Sequence, residues 1–189
     1  IILQLPIPDK FDLLVLQNCI SPEKDVDGFR KDSMFDPCTP KGIIGWLDNN
    51  KYDYEGKKAI VIGRSNIVGK PLVNMLIEKG ATVTSCNSMT KDLKDYTGNA
   101  DLIISAIGKP KYFSSSYFYT NQVIVDVGIN RDENGKLCGD IDYDDVRRWG
   151  NTYVTPVPGG VGLLTRVALL QNTFEAYRRK IEGELLYEN

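Results

Sequence analysis

The segment with the clearest capacity for chemistry is Gly63-Arg64-Ser65-Asn66-Ile67-Val68-Gly69. It follows a short apolar, β-branched run from Lys57 to Gly63 and precedes Pro71 to Lys79, where apolar residues recur at helical spacing. A glycine-bounded loop between a strand and a helix aims backbone amides and the positive helix end at an anion, the arrangement that holds a dinucleotide pyrophosphate. Gly63 is expected to allow the sharp turn at the strand end, and Gly69 a close approach of helix to sheet. The middle glycine of G-x-G-x-x-G is missing, so the placement of the loop carries the reading more than its glycines do.

The next strand ends Cys86-Asn87-Ser88-Met89-Thr90, with no acid before Asp92. A carboxylate there would hold a ribose 2′-hydroxyl; a hydroxyl-rich strand end with Arg64 nearby instead suits a 2′-phosphate, through charge-assisted hydrogen bonds. NADP is therefore expected over NAD, the alternative being that Arg64 is only a solvated loop charge. Histidine is absent from the sequence. That excludes histidine general bases, histidine triads and histidine-ligated metal, and no metal site is expected. The cysteines Cys19, Cys38, Cys86 and Cys138 form no C-x-x-C pair and read as reduced, buried thiols.

These residues need a scaffold, and the pattern from Lys57 onward supplies one. Strands are expected at 57–63, 81–86, 101–107 and 122–128, with helices at 71–79 and from Asp92, Pro71 in a first turn and Gly80 as a cap. Alternation of this kind predicts an α/β fold, a Rossmann-like doubly wound parallel sheet built of right-handed βαβ units. Asn134-Gly135 marks a turn between Arg131 and Leu137, Thr152 to Val157 is extended, and a final helix is expected from about Thr165 to Ile181. The first part differs: Ile1 to Leu5 reads as a strand, and Pro6, Pro8, Pro22, Pro37 and Pro40 interrupt the chain as far as a helix at Gly42 to Leu47. The expected domains are 1–45, a remnant of an N-terminal α/β substrate domain; 46–153, the dinucleotide domain; and 154–189, a loop and helix returning to the first. The missing Met and the start inside a strand suggest a truncated start.

Composition bounds the partners. Lys+Arg of 23 against Asp+Glu of 25 gives a net charge of −2, which argues against nucleic acid or an anionic membrane as the main partner. No apolar run approaches the roughly 20 residues of a membrane helix, and 42% hydrophobic residues suffice for a packed core.

Six ordered motifs then add a resemblance. They are Gln4-Leu5-Pro6-Ile7-Pro8, Glu23-Lys24-Asp25-Val26-Asp27-Gly28-Phe29, Pro37-Cys38-Thr39-Pro40, Gly63 through Pro71, Asp126-Val127-Gly128-Ile129-Asn130-Arg131 and Thr155-Pro156-Val157-Pro158-Gly159-Gly160-Val161-Gly162. Nearly end to end, the sequence resembles the bifunctional methylenetetrahydrofolate dehydrogenase/methenyltetrahydrofolate cyclohydrolase (FolD-type) family. The resemblance implies oxidation of 5,10-methylenetetrahydrofolate with NADP+ and hydrolysis of the methenyl product to 10-formyltetrahydrofolate. It also implies a cytoplasmic homodimer in the one-carbon metabolism that serves purine biosynthesis. By motif, Gly63, Arg64, Ser65, Ser88 and Ile129 would contact the cofactor. Asp27 would hydrogen-bond the pterin, Gln4 would position the family's catalytic lysine, and Pro158, Gly159, Gly160, Val161 and Gly162 would line the folate site.

Departures also show. The family's catalytic tyrosine and lysine lie on a helix upstream of the Gln4 motif, and no lysine here can be assigned that role. The stretch from Gly28 to Pro37 is shorter than the family pattern. Leu163-Leu164-Thr165-Arg166 replaces a more usual Pro-Met-Thr-Val, and Asn87 stands where a histidine is common. A non-catalytic NADP-binding module or regulatory pseudoenzyme is the alternative reading. Ile1 to Leu5 and the last helix are expected to leave an apolar patch exposed.

Overall fold

A computed structural model describes residues 1–148, 150 and 152–187. The strands β1 (Lys58–Ile62), β2 (Thr82–Cys86), β3 (Leu102–Ser105), β4 (Val123–Asp126) and β7 (Tyr153–Val154) form a five-stranded sheet in the order β2-β1-β3-β4-β7. Every pairing in it is parallel, as the alternating pattern predicts. Side chains alternate between two buried faces. Ala59, Val61, Leu102, Ile104 and Val125 pack toward α2 (Cys38–Asn49) and α3 (Gly69–Glu78). Ile60, Ile62, Ile103 and Ile124 pack toward Phe113, Phe118, Ile141 and Val146, the last on α5 (Tyr143–Val146). Each such aliphatic side chain contributes on the order of 1.5–3 kcal/mol by leaving water. That two-sided burial is why the strands read as continuous apolar runs. The crossover helices are α3 and α4 (Leu93–Gly98), and β5 (Asn130–Arg131) with β6 (Leu137–Cys138) makes the expected hairpin.

Three expectations need correction. Residues 1–5 are not a strand: no described strand lies beside them to complete a hydrogen-bond ladder, and Ile1 and Ile2 are exposed. Pro37 and Pro40 do not break the chain; Pro37 occupies the N-cap position of α2 and Pro40 lies in its first turn, where a missing N–H costs no intrahelical bond. The helix α2 therefore crosses the expected 45/46 boundary. The last helix, α6 (Val161–Tyr187), begins before Thr165, so Val161 and Gly162 belong to its first turn and not to a loop. A short helix α1 (Leu13–Asn18), capped by the Asp12 carboxylate, has no counterpart among the expected elements.

The helices α2 and α6 cross closely. A Cβ on Gly42 would come 2.7 Å from the Leu164 backbone, and the hydroxyls of Thr39 and Thr165 are 3.0 Å apart. The buried side of α6 carries Ala168 and Asn172, whereas Leu163, Val167, Leu170, Phe174 and Tyr177 form an exposed stripe. This is the apolar patch expected from the sequence. No helix among the described residues is long and apolar enough to cross a membrane.

Two buried carboxylates lock the carboxyl ends of the strands. Asp126, at the end of β4, accepts from the backbone N–H groups of Gly128 (2.9 Å), Asp140 (3.0 Å) and Ile141 (2.9 Å). Asp140 accepts from Ser105 Oγ (2.9 Å), Ile107 N (2.8 Å), Lys109 N (3.0 Å) and Asn130 Nδ2 (3.0 Å). Together they tie β3, β4 and the β5–β6 hairpin into one unit. Burial pushes the Asp126 carboxyl up to about 6, and the neighbouring Asp140 adds to this against the pull of the backbone donors. An acid held above its ordinary range binds its proton more tightly in the folded than in the unfolded state. The resulting stabilisation is complete below the ordinary carboxylate pKa and is lost as pH rises through about 6. Between pH 7.5 and 5 the natural protein should therefore gain roughly 1–2 kcal/mol relative to Asp126→Asn. Urea unfolding across that range checks it, and parallel pH profiles for the two proteins would disprove it. Gly69→Ala should cost about 1–3 kcal/mol, because its Cβ would overlap the Gly63 carbonyl; an unchanged thermal midpoint would contradict that.

Candidate functional site

At the carboxyl end of β1, Gly63 turns with φ +117°, and a Cβ on it would collide with the Ala106 carbonyl. The loop then passes so near the start of α3 that Gly69 lies against the Gly63 carbonyl. Ser65 closes the turn. Its Oγ accepts from Val68 N (3.2 Å) and Gly69 N (3.3 Å), which leaves its own hydroxyl proton to donate outward. The helix therefore opens at Gly69, earlier than the Pro71 expected from sequence.

Arg64 is held, not free. Its Nη2 donates to the Ser85 carbonyl (2.6 Å) and its Nε to Ser85 Oγ (3.2 Å), which fixes the guanidinium on the end of β2. It forms one wall of a cleft of about 510 Å³ with Ser85, Thr90, Lys91, Asp92, Asp95 and Tyr96. The sequence reading of an acid-free strand end holds for β2 itself but not for this cleft, since Asp92 and Asp95 fold back into it from the start of α4. Ser88 is exposed in the loop after β2 and does not line the cleft. Sequence reasoning missed Ser85; a hydroxyl one residue before the strand's last position gives no signal until the neighbouring strand brings Arg64 beside it.

A second cleft of about 240 Å³ joins Ile129 to the Pro158–Gly162 segment. Ile129, 71% exposed, lies on it together with Pro158, Gly159, Gly160, Val161 and Gly162, and Asp126, Leu137 and Arg166 are among the other lining residues. The cofactor motif and the folate motif, distant in sequence, thus share one space. Thr155 fixes this junction by accepting from Asp126 N at 2.8 Å. The clefts lie at the carboxyl ends of parallel strands, where α/β sheets bind ligands. The residues fit a dinucleotide: a glycine turn with no room for a side chain, a free hydroxyl proton at Ser65, a fixed cation at Arg64 and an exposed apolar side chain at Ile129.

Gln4 and Asp27 line neither cleft. Gln4 is exposed and its amide donates only to the adjacent Leu5 carbonyl (3.0 Å). Asp27 is half-buried, and its pKa is raised by burial and by the nearby Asp25 charge, against the pull of the Cys38 thiol. Cys38 is buried with its Sγ donating to the Val26 carbonyl (3.3 Å), and its own pKa is pushed up to about 11 by burial and by Asp27. The cysteines Cys38, Cys86 and Cys138 are buried, Cys19 is exposed, and all four are free.

Comparison with known proteins places this geometry in a family. Residues 37–181 match the family described as tetrahydrofolate dehydrogenase/cyclohydrolase, NAD(P)-binding domain. The bifunctional protein FolD of Dechloromonas aromatica is 48% identical over 189 residues, covering 95% of this chain and 66% of that protein. The chain thus spans about two thirds of the length of the curated relatives it matches. Among solved structures, the bifunctional FolD methylenetetrahydrofolate dehydrogenase/cyclohydrolase of Campylobacter jejuni superposes with a TM-score of 0.88 at 42% identity, covering 94% of this chain and 66% of that one. The Trypanosoma brucei enzyme, solved with NADP and an inhibitor, gives 0.86 at 31% identity over 94% of this chain and 66% of that one. The chain belongs to the tetrahydrofolate dehydrogenase/cyclohydrolase family and carries its NAD(P)-binding domain.

Proposed function

We propose that this chain supplies the NADP site and part of the folate site of an enzyme that oxidises 5,10-methylenetetrahydrofolate to the methenyl form and hydrolyses that to 10-formyltetrahydrofolate. The observation that carries it is the shared cleft, in which Ile129 from the cofactor motif faces Pro158 to Gly162 from the folate motif. A redox step needs both reactants at near-contact distance, and residues of the two motifs meet at this cleft. Bound NADP+ would accept the hydride. Gly63 and Ser65 hold the pyrophosphate through backbone and hydroxyl donors. Arg64 meets the 2′-phosphate, and Ser85 keeps its side chain in place while it does so. The backbone from Pro158 to Gly160 lets a flat ring approach closely, since its glycines carry no side chain. Asp27 binds the amino-pyrimidinone edge of the pterin, for which a carboxylate's two acceptors are well matched.

Gln4 orients the family's catalytic lysine in this reading, and residues 1–45 with 154–189 form the folate-facing part around a central NADP domain at 46–153. The resemblance also supports Ser88 as a cofactor contact once the ligand is bound, and a cytoplasmic homodimer serving purine biosynthesis. The test is NADPH formation from 5,10-methylenetetrahydrofolate and NADP+ by the protein expressed from its whole reading frame. NADP binding without turnover would favour a binding module instead. Arg64→Ala should weaken NADP+ binding about 10- to 100-fold, the loss of one or two charge-assisted hydrogen bonds, and leave NAD+ affinity nearly unchanged. Calorimetric titration of both cofactors measures this, and equal losses would sink the NADP assignment.

A further inference from the structure

The buried side of α6 carries one polar group that the reaction chemistry does not use. Asn172 is fully buried, and both ends of its carboxamide have partners. Its Nδ2 donates to the carbonyls of Val26 (2.8 Å) and Asp36 (3.0 Å) and lies 3.6 Å from Cys38 Sγ. Its Oδ1 accepts from Lys41 Nζ at 2.6 Å. The lysine settles which way the amide faces: with a cation on the oxygen, the NH2 group must point at the two carbonyls.

One of those carbonyls lies directly before Asp27 and the other just before α2. The Val26 carbonyl belongs to the peptide that enters Asp27, and the carbonyl of Asp27 itself accepts from Cys38 N at 3.3 Å, at the start of α2. Gly28 comes next with φ +70°, and a Cβ there would come 2.6 Å from the backbone of residues 35–37. The peptide units on both sides of Asp27 are thus pinned between α2 and α6, while its carboxyl stays half-exposed. The other end of α6 is Val161, on the wall of the shared cleft. At 1.5 Å per residue, the helix places Asn172 about 16 Å beyond Val161 along a rigid rod.

We propose that Asn172 is a positioning residue for the folate site: α6 uses it, oriented by Lys41, to hold Asp27 in a set place relative to the cofactor cleft. This rests on the reading of Asp27 as the pterin-binding carboxylate. The Asn172 contact is made through a backbone carbonyl and so takes up no acceptor of the Asp27 carboxyl, whereas a direct side-chain contact would compete with a ligand there. The isosteric change Asn172→Asp is the sharpest probe, because it keeps an acceptor for Lys41 but turns an oxygen toward the two carbonyls.

The experiment uses the intact protein with Asn172→Asp, Asn172→Ala and the milder Lys41→Met. In steady-state assays KM for 5,10-methylenetetrahydrofolate should rise about tenfold or more in the first two and less in Lys41→Met, with KM for NADP+ within about twofold. In parallel, carbon-13 NMR of the free Asn172→Ala and Lys41→Met proteins should show the raised Asp27 pKa falling toward the ordinary carboxylate range as the loop loosens. Equal losses for folate and NADP+ would show general damage and overturn the proposal. So would an unchanged Asp27 titration in variants that fold; if neither Asn172 variant folds, Lys41→Met decides by the same two readouts. If the natural protein shows no folate turnover, the proposed reaction fails, and the Asp27 titration alone still decides whether Asn172 holds that loop.

Discussion

The site depends first on the burial of two carboxylates, Asp126 and Asp140, at the carboxyl ends of the central strands. A carboxylate removed from water must have its oxygens filled by donors, or the desolvation cost is large. Here backbone N–H groups of residues 107, 109, 128, 140 and 141 fill them, with Ser105 and Asn130. Because these donors come from separate loops, satisfying the acids also fixes the loops relative to one another. Ile129 lies between two of the fastened positions, Gly128 and Asn130. Its exposure beside the folate motif therefore comes from the carboxylate network and needs no packing of its own.

Helix α6 is the second organiser, and its two sides obey different rules. Toward α2 it carries small or hydrogen-bonded residues, which lets the axes approach closely enough for Gly42 to touch the Leu164 backbone. On its outer side it carries an apolar stripe that the described residues leave exposed. An apolar stripe of this length costs stability in water unless something covers it. The same helix lines the shared cleft with its first turn and grips the Asp27 loop further along. Rigidity over that span converts two local contacts into one fixed geometry.

Electrostatics in the Arg64 cleft are mixed. Arg64 and Lys91 share a cleft with Asp92 and Asp95, so any anion attracted there would meet a fixed local cation and not a broadly basic surface. A guanidinium already fastened to the Ser85 carbonyl loses little side-chain freedom when an anion arrives, which favours binding through preorganisation.

Much of this protein was legible in the sequence. The apolar runs that became β1 to β4, the glycine turn before α3 and the hairpin turn at Gly135 depend on local periodicity and backbone sterics, which a chain carries residue by residue. The ordered motifs brought Ile129 and the Pro158–Gly162 segment to attention, and the fold sets these on one cleft. Other features were decided only by tertiary structure. Residues 1–5 have the composition of a strand but no neighbouring strand, and a ladder is a property of two segments. Pro40 breaks a helix interior but fits a first turn, and only the true start of α2 distinguishes the two. The roles of Asp140, Ser85 and Asn172 were invisible for the same reason. Asp140 and Asn172 act on backbone atoms far away in sequence and Ser85 through its own carbonyl, and backbone donors and acceptors are alike at every position until folding decides which of them meet.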